Sequence, residues 1–480
     1  MEREDLANPS TWKIEAKEDS LDLEGRCLAG LRASGIPATG VVLDNTHLKG
    51  GYICDTMRIN ILYEGDAAPD APEGTKRRAA ASAVAERPDT AILKIASPAS
   101  ADHDVAMRLR LYEREWHFYE HISHRVPIRV PKFLGSVKDV ETGKITEGVL
   151  LEDLCVRAPG TPQWRVALSS PSKHFSARPR RPRQVPGAIL CPDLDDEALL
   201  TTVAHVAKLH AAFWNSPELA SGSLGVKPHN APWYQPGWGD DIAAYWPKFE
   251  AKWRTHDSRR QRELPDEAFA AGAAIMKSFG WIQDELSMKP HCFNHGDVKS
   301  ANMFMMPNNV PAFIDWQYTA VGKGCQDILF LLVEGYEIDE CRRLEPLVMR
   351  HYHASLVQRG VTDYSFEHLK RDWKLACMHF PFYVAMWFGT TPDENLVDPD
   401  FPRRFVPRAF DAILRNGAHL LVLDGPAAPA PAPESAAPKS AAALALELGE
   451  TNAALERMTK QRDALLAALM TIKGALPPSL

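Results

Sequence analysis

The chain has 480 residues, 45% hydrophobic and 24% charged, with a formal net charge of −7. That length holds two or three domains with a sizeable core, and the balance excludes a wholly disordered, collagenous or purely coiled-coil protein. A net negative chain carries no global basic field, so no nucleic-acid partner is expected.

The first twenty residues are heavily charged, which argues against a signal peptide. No apolar run of about 18 residues occurs, so no membrane span is expected. Eight cysteines, at 27, 54, 155, 191, 292, 325, 341 and 377, contain no C-x-x-C. Their spacing fits neither a zinc site nor a secreted disulfide framework, and a cytoplasmic location is the expectation.

Taken in chain order, residues 57–63 alternate apolar and polar and read as a strand. Residues 64–90 are rich in Ala, Pro and charge and read as a loop. Residues 91–96 form a second short strand, 104–122 have helical periodicity, and 148–151 form a third strand. Residues 157–192 combine many Arg, Lys and Pro with no Asp or Glu. Pro at that density blocks regular structure. The stretch is either a solvated insertion or a basic loop that meets phosphates or an anionic surface. From 196 onward helical periods dominate: 196–214, 240–254, 266–287, 326–335, 340–358, 365–388 and 404–423.

Residues 426–440 are a Pro/Ala tract that behaves as an extended spacer. Beyond it Leu448, Leu455 and Leu469 share one heptad position, and Met458, Leu465 and Ile472 share another. Arg462 and Thr451 interrupt the stripe. Two readings fit 441–473: a short coiled coil giving weak homo-oligomers, or an amphipathic helix that packs back on the body.

The stretch that carries chemistry is His295-Gly296-Asp297, followed by Asn302 and, after an apolar segment, Ile314-Asp315-Trp316-Gln317. The pattern suits phosphoryl transfer, which needs positioning and neutralisation of oxygen charge rather than covalent help. Asp297 on a loop suits the acceptance of a hydroxyl proton, and Gly296 permits a tight path beside it. Asn302 and Asp315 offer the hard oxygens that Mg²⁺ takes.

These motifs resemble the aminoglycoside phosphotransferase and choline kinase-like superfamily. The ecdysteroid kinase-like branch is nearest, because it writes I-D-[FW]-Q where protein kinases write D-F-G. The resemblance covers about residues 20–423 and implies an α+β, bilobal, protein kinase-like fold. A small β-rich N-lobe precedes a larger helical C-lobe, with a further C-terminal helix. It implies ATP and Mg²⁺, with Asp297 as catalytic base, Asn302 and Asp315 on the metal, and His295 and Asp327 bracing the loop. The segment 207–214 is similar to the family's A-x-L-H-a-x-F-W helix.

The same resemblance implies a strand lysine, Lys94, for the α/β-phosphates and a helix glutamate, Glu115, to hold it. Glu113 and Glu120 are neighbours that the pattern leaves open. Lys49-Gly50-Gly51 matches a reduced phosphate loop and equally a plain hairpin turn. Residues 152–154 correspond to the hinge that holds adenine, which brings in Glu152 and Leu154, mainly through their main-chain groups. Lys299 stands where some kinases place a γ-phosphate lysine, or faces solvent.

The acceptor is weakly encoded. Six Trp lie between 214 and 281, and Tyr383, Trp387 and Phe388 follow, then Asp393 and Glu394. Aromatic faces beside carboxylates suit an amine or an apolar alcohol, and they equally suit core packing. The expected organisation is 1–154 as the ATP-binding lobe, 155–425 as the catalytic and substrate lobe, 426–440 as linker and 441–480 as helix. The expected activity is transfer of a γ-phosphoryl group to the hydroxyl of a small organic acceptor. The alternative is a catalytically idle nucleotide-binding module that assembles through its C-terminal helix. Completeness of the set Lys94, Glu115, Asp297, Asn302 and Asp315 favours the enzyme.

Overall fold

The computed structural model describes residues 20–47, 53–64, 88–98, 100, 103–155, 189–190, 194–231, 238–255, 264–306, 309–390, 396 and 398–423. The Lys49-Gly50-Gly51 turn, most of the 64–90 and 157–192 stretches, the Pro/Ala tract and the heptad segment lie outside the described residues.

The elements, in chain order, begin with α1 (Ser20–Ala33), β1 (Gly40–His47), β2 (Cys54–Leu62), β3 (Thr90–Ala96), α2 (His103–Arg108) and α3 (Leu111–His117). Then come β4 (Phe133–Lys138), β5 (Thr146–Glu152), β6 (Ile189–Leu190), α4 (Asp196–Ala212), α5 (Pro217–Ser221) and α6 (Trp238–Thr255). They continue with α7 (Asp266–Lys277), α8 (Phe279–Ser287), β7 (Cys292–Asn294), β8 (Met303–Met306), β9 (Val310–Phe313) and β10 (Ala320–Gly322). The last are α9 (Cys325–Gly335), α10 (Ile338–Gln358), α11 (Phe366–Cys377), α12 (Phe380–Thr390), α13 (Phe401–Arg415) and α14 (Leu420–Leu423).

The chain forms two compact units. The first comprises Met1–Leu190 with Phe304–Asn308 and Ala312–Thr319; the second comprises Cys191–Met303, Asn309–Pro311 and Ala320–Leu480. Asp315, far along in sequence, therefore belongs with the front unit.

The first unit is built on a five-stranded antiparallel sheet of order β1-β2-β3-β5-β4. Alternation along each strand sends Ile59, Ile61, Ala91, Leu93 and Leu150 to one face, where they share a core with Cys27 and Leu31 of α1. Helix and sheet meet backbone to backbone at Gly30 and Gly135. A Cβ on Gly30 would lie 2.3 Å from the Ser136 carbonyl oxygen, and one on Gly135 2.5 Å from that of Gly30. Lys94 points to the opposite face, in register with Thr56 and Val149.

The second unit is mainly helical. The two-stranded β7–β10 ladder sets Asn294 opposite Ala320 and Cys292 opposite Gly322. Trp373, Tyr352, Phe293 and Phe410 are among its fully buried side chains. Helix α4 starts at a capping Asp195, which accepts the Ala198 N–H at 2.9 Å, and α11 starts at a capping Ser365. Among the described residues no helix is long and apolar enough to cross a membrane.

Several single helices expected from periodicity are divided. The 104–122 stretch breaks at Arg110, which takes left-handed backbone (φ 53°), and ends in a π-helical turn at Phe118–Ile122. The 365–388 stretch breaks before Pro381, whose missing N–H cannot bond the Cys377 carbonyl. The 404–423 stretch ends at Arg415, ahead of Gly417 (φ 60°), and resumes as α14. The 266–287 stretch is interrupted at Ser278, and nothing in the structure explains why. Inside the Pro-rich 157–192 stretch, where no regular structure was expected, Ile189 and Leu190 form a short strand paired with Met305 and Phe304. That dipeptide is apolar and free of Pro, so both its N–H groups remain for a ladder.

Burial pushes the His379 imidazole down to about 4, and it lowers His351 and His291 too. The folded chain therefore resists protonation that the unfolded chain accepts near 6.5. Stability should be fully present above that pH and be lost as pH falls toward 4. Melting curves from pH 7 to 5 should show the decline, with a shallower slope in His379→Leu. Equal slopes would count against it.

Candidate active site

In the first unit, β3 carries Lys94 beneath helix α3. Its ammonium bonds Glu115 Oε1 at 2.6 Å and also contacts Asp315 Oδ1. Glu115 is fully buried and Lys94 is only 8% exposed. Burial alone would lower the lysine pKa, but the Asp315 and Glu115 carboxylates overcome it and hold the group well above its ordinary range. The same burial pushes Glu115 up, against the pull of Lys94.

The neighbouring glutamates are engaged elsewhere. Glu113 pairs with Arg110, and Glu120 with Ser136, Thr146 and Lys138. Lys94 lies on β3, the central strand of the five-stranded sheet.

At the hinge, the Glu152 carboxylate is held by Arg129 at 2.6 Å and by the Lys132 N–H at 2.9 Å. Asp153 is held by Arg58 at 2.6 Å and Thr90 at 3.1 Å, and it accepts the Cys155 N–H at 2.9 Å. The main-chain groups of Leu154 make no hydrogen bond among the described residues. That leaves one donor and one acceptor unengaged there.

The second unit holds the loop after β7. Gly296 has φ 83°, a left-handed turn that glycine adopts without cost. The turn sends the His295 and Gly296 N–H groups to Asp327 Oδ2 and Oδ1, both at 2.8 Å. The His295 ring itself accepts the Asp297 N–H through Nδ1 at 3.2 Å. The amide nitrogen of Asn302 donates to Asp297 Oδ2 at 2.8 Å and to its main-chain carbonyl at 3.1 Å. Lys299 Nζ is 3.1 Å from the same Oδ2. Both contacts fall on Oδ2, so Asp297 Oδ1 has no hydrogen-bond partner among the described residues.

Asn302 turns its nitrogen to Asp297, which leaves its carbonyl oxygen without a partner among the described residues. That oxygen in the second unit and the anionic Asp315 carboxylate in the first are each of the donor type that a hard divalent cation such as Mg²⁺ takes.

Sequence reasoning assigned no role to three groups. His210, fully buried on α4, contacts Asp327 Oδ2 through Nε2 at 3.1 Å and Tyr352 through Nδ1 at 2.9 Å. Its signal was a histidine on the apolar face of a helix. Arg114 reaches the Thr319 carbonyl across 205 residues of sequence. Burial pushes the Glu334 carboxyl up, with Lys299 lowering it and Asp297 raising it. No local pattern marks these last two.

Of the aromatic residues, Trp246 and Trp253 are buried, packed on Phe249, and serve the core. Tyr383 and Trp387 are half-buried neighbours on α12. Trp233, Asp393 and Glu394 lie outside the described residues.

A family model described as the phosphotransferase enzyme family (APH) matches residues 81–364, more than half the chain. The chain belongs to this family. The chain has the expected α+β architecture, with a five-stranded antiparallel sheet in the first unit and a mainly helical second unit. Solved structures similar to it include choline kinase from Cryptosporidium parvum Iowa II, at 12% identity and TM-score 0.41, covering 80% of this chain and 91% of that one. The GDP complex of aminoglycoside 2'-phosphotransferase-IIIa is similar at 12% identity and TM-score 0.42, covering 82% and 99%. Plasmodium vivax ethanolamine kinase is similar at 10% identity and TM-score 0.37, covering 78% and 81%. No curated protein matches the chain in sequence.

Proposed function

We propose that this phosphotransferase moves the γ-phosphoryl group of ATP, with Mg²⁺, to a hydroxyl of a small organic acceptor. The observation that carries the reading is that every charged group the reaction needs is present and already paired. Lys94 is seated against Glu115, and Asp297 has one oxygen engaged by Asn302 and Lys299 and the other open.

In this reading Lys94 holds α/β-phosphate oxygens, while Glu115 fixes its position. Asp297 Oδ1 accepts the proton of the acceptor hydroxyl as its oxygen attacks the γ-phosphorus in line, the bond from that phosphorus to the β,γ-bridging oxygen breaks, and ADP leaves. Lys299 offsets negative charge beside that base. Asn302 and Asp315 hold Mg²⁺, which neutralises charge on the phosphate oxygens when bound. His295 and Asp327 keep the loop backbone in place, and Leu154 offers main-chain groups to adenine.

Incubation of the full chain with ATP, Mg²⁺ and amino alcohols, aminoglycosides or steroid alcohols should release ADP with at least one class. Asp315→Ala should weaken Mg²⁺-dependent nucleotide binding more than Asn302→Ala, because an anionic oxygen is the stronger ligand for a hard cation. Both variants binding Mg·ATP like the parent would remove the metal assignment.

A further inference from the structure

Asp315 has φ 63° and ψ 64°. Side chains other than glycine rarely adopt this left-handed backbone, and it persists only where the surroundings over-determine it. Three restraints close on the short turn that follows. The Trp316 indole N–H donates to the Phe313 carbonyl at 3.2 Å. The Trp316 ring, fully buried, stacks on Phe118 with centroids 3.9 Å apart and planes 6° from parallel. Arg114 directs its Nε, at 3.2 Å, and its Nη2 to the Thr319 carbonyl.

Arg114 is only 4% exposed. Burying a guanidinium is costly, and here both donors converge on one main-chain oxygen. The arginine sits beside Glu115 on α3, and consecutive helix residues project about 100° apart. One short helix therefore aims Glu115 at Lys94 and Arg114 at the Thr319 carbonyl. The π-helical turn begins at Phe118, the residue whose ring meets Trp316. Such turns are frequent at functional sites.

We propose that Arg114 is a positioning residue for Asp315. By clamping the Thr319 carbonyl, together with the Phe118–Trp316 stack, it holds the 315–319 turn in the shape that presents the Asp315 carboxylate. The inference rests on the reading of Asp315 as a Mg²⁺ ligand. The phosphate lysine and the metal carboxylate then share a single mount, helix α3.

The test is calorimetric titration of Mg²⁺ against binding of a non-hydrolysable ATP analogue by the full-length protein. Arg114→Met should raise the Mg²⁺ half-saturation point roughly 10–100-fold, the usual scale for groups that orient a metal ligand. Binding of the analogue in EDTA should stay at the parental level. Arg114→Lys, which keeps the charge and one donor, should recover part of the loss. A purely packing role would lower the melting temperature and leave the Mg²⁺ half-saturation point unmoved in folded protein. If Arg114→Met does not fold, Arg114→Gln takes its place. Parental Mg²⁺ dependence in whichever variant folds overturns the proposal, as does an equal loss of binding in EDTA. Asp315→Asn separates the two readings. If it too shows parental Mg²⁺ dependence, the metal assignment fails and the inference falls with it. If it is altered while the Arg114 variants are not, only the Arg114 role is lost.

Discussion

Asp297→Asn should lower turnover by about 10²–10⁴-fold, the usual range for loss of a general base. The substitution keeps the shape of the side chain and one carbonyl oxygen. It removes the negative charge and the ability to take a proton at Oδ1, the oxygen without a partner among the described residues. The loop should survive, because its backbone is set by Asp327, and Asn302 keeps its 3.1 Å bond to the main-chain carbonyl at 297. Nucleotide affinity should stay close to parental, since Lys94, Glu115 and the hinge are untouched. Steady-state kinetics and nucleotide titration on the same preparation check both halves. Undiminished turnover would remove Asp297 from the role of base. Lost nucleotide binding would mean that the change disturbed more than the proton acceptor.

Asp327→Ala should produce the largest loss of stability. The carboxylate is 1% exposed and accepts two main-chain N–H groups and His210. Its removal strands three donors where water cannot easily follow, at about 1–3 kcal/mol each. A loss of several kcal/mol is a large share of the ~5–15 kcal/mol that holds a typical domain folded. Tyr352 completes the network. Its hydroxyl lies 2.9 Å from His210 Nδ1, and burial holds the phenol well above the ordinary range, so the group stays protonated. Urea denaturation should show the midpoint falling sharply in Asp327→Ala and less in Tyr352→Phe, which deletes one outer hydrogen bond. An unfolding free energy in Asp327→Ala within about 1 kcal/mol of the parent would mean that the loop is held by something else.

Much of the site was legible because part of it is local. Asp297 and Asn302 are five residues apart, and their mutual hydrogen bonds shape the loop between them. A motif of that length records its own geometry, and Gly296 records the left-handed turn. The alternation along β2, the short apolar run of β3 and the helical periods of α9 and α10 likewise announced those elements from short-range pattern. Periodicity also separated a strand-bearing front from a helical remainder.

Partner choice over long separations was decided only by the tertiary structure. Three glutamates, at 113, 115 and 120, were available to Lys94, and a periodic helix over 104–122 would present them differently. Glu113 and Glu115 share α3 and Glu120 lies in the π-helical turn, and of the three only Glu115 bonds the lysine, while Glu113 pairs with Arg110 and Glu120 with Thr146. Asp315 lies 221 residues from Lys94 yet contacts it within the front unit, where Arg114 bonds the Thr319 carbonyl and Phe118 stacks on Trp316. His210 and Tyr352 join Asp327 because helices α4, α9 and α10 pack together, and no spacing in the chain encodes that meeting. The sequence by itself determined which chemical groups exist and the loop that carries Asp297, because those depend on neighbours a few residues away. The folded core decided which of these groups meet and which carboxylates are buried against a cation, because burial and long-range pairing arise only once distant segments share one interior.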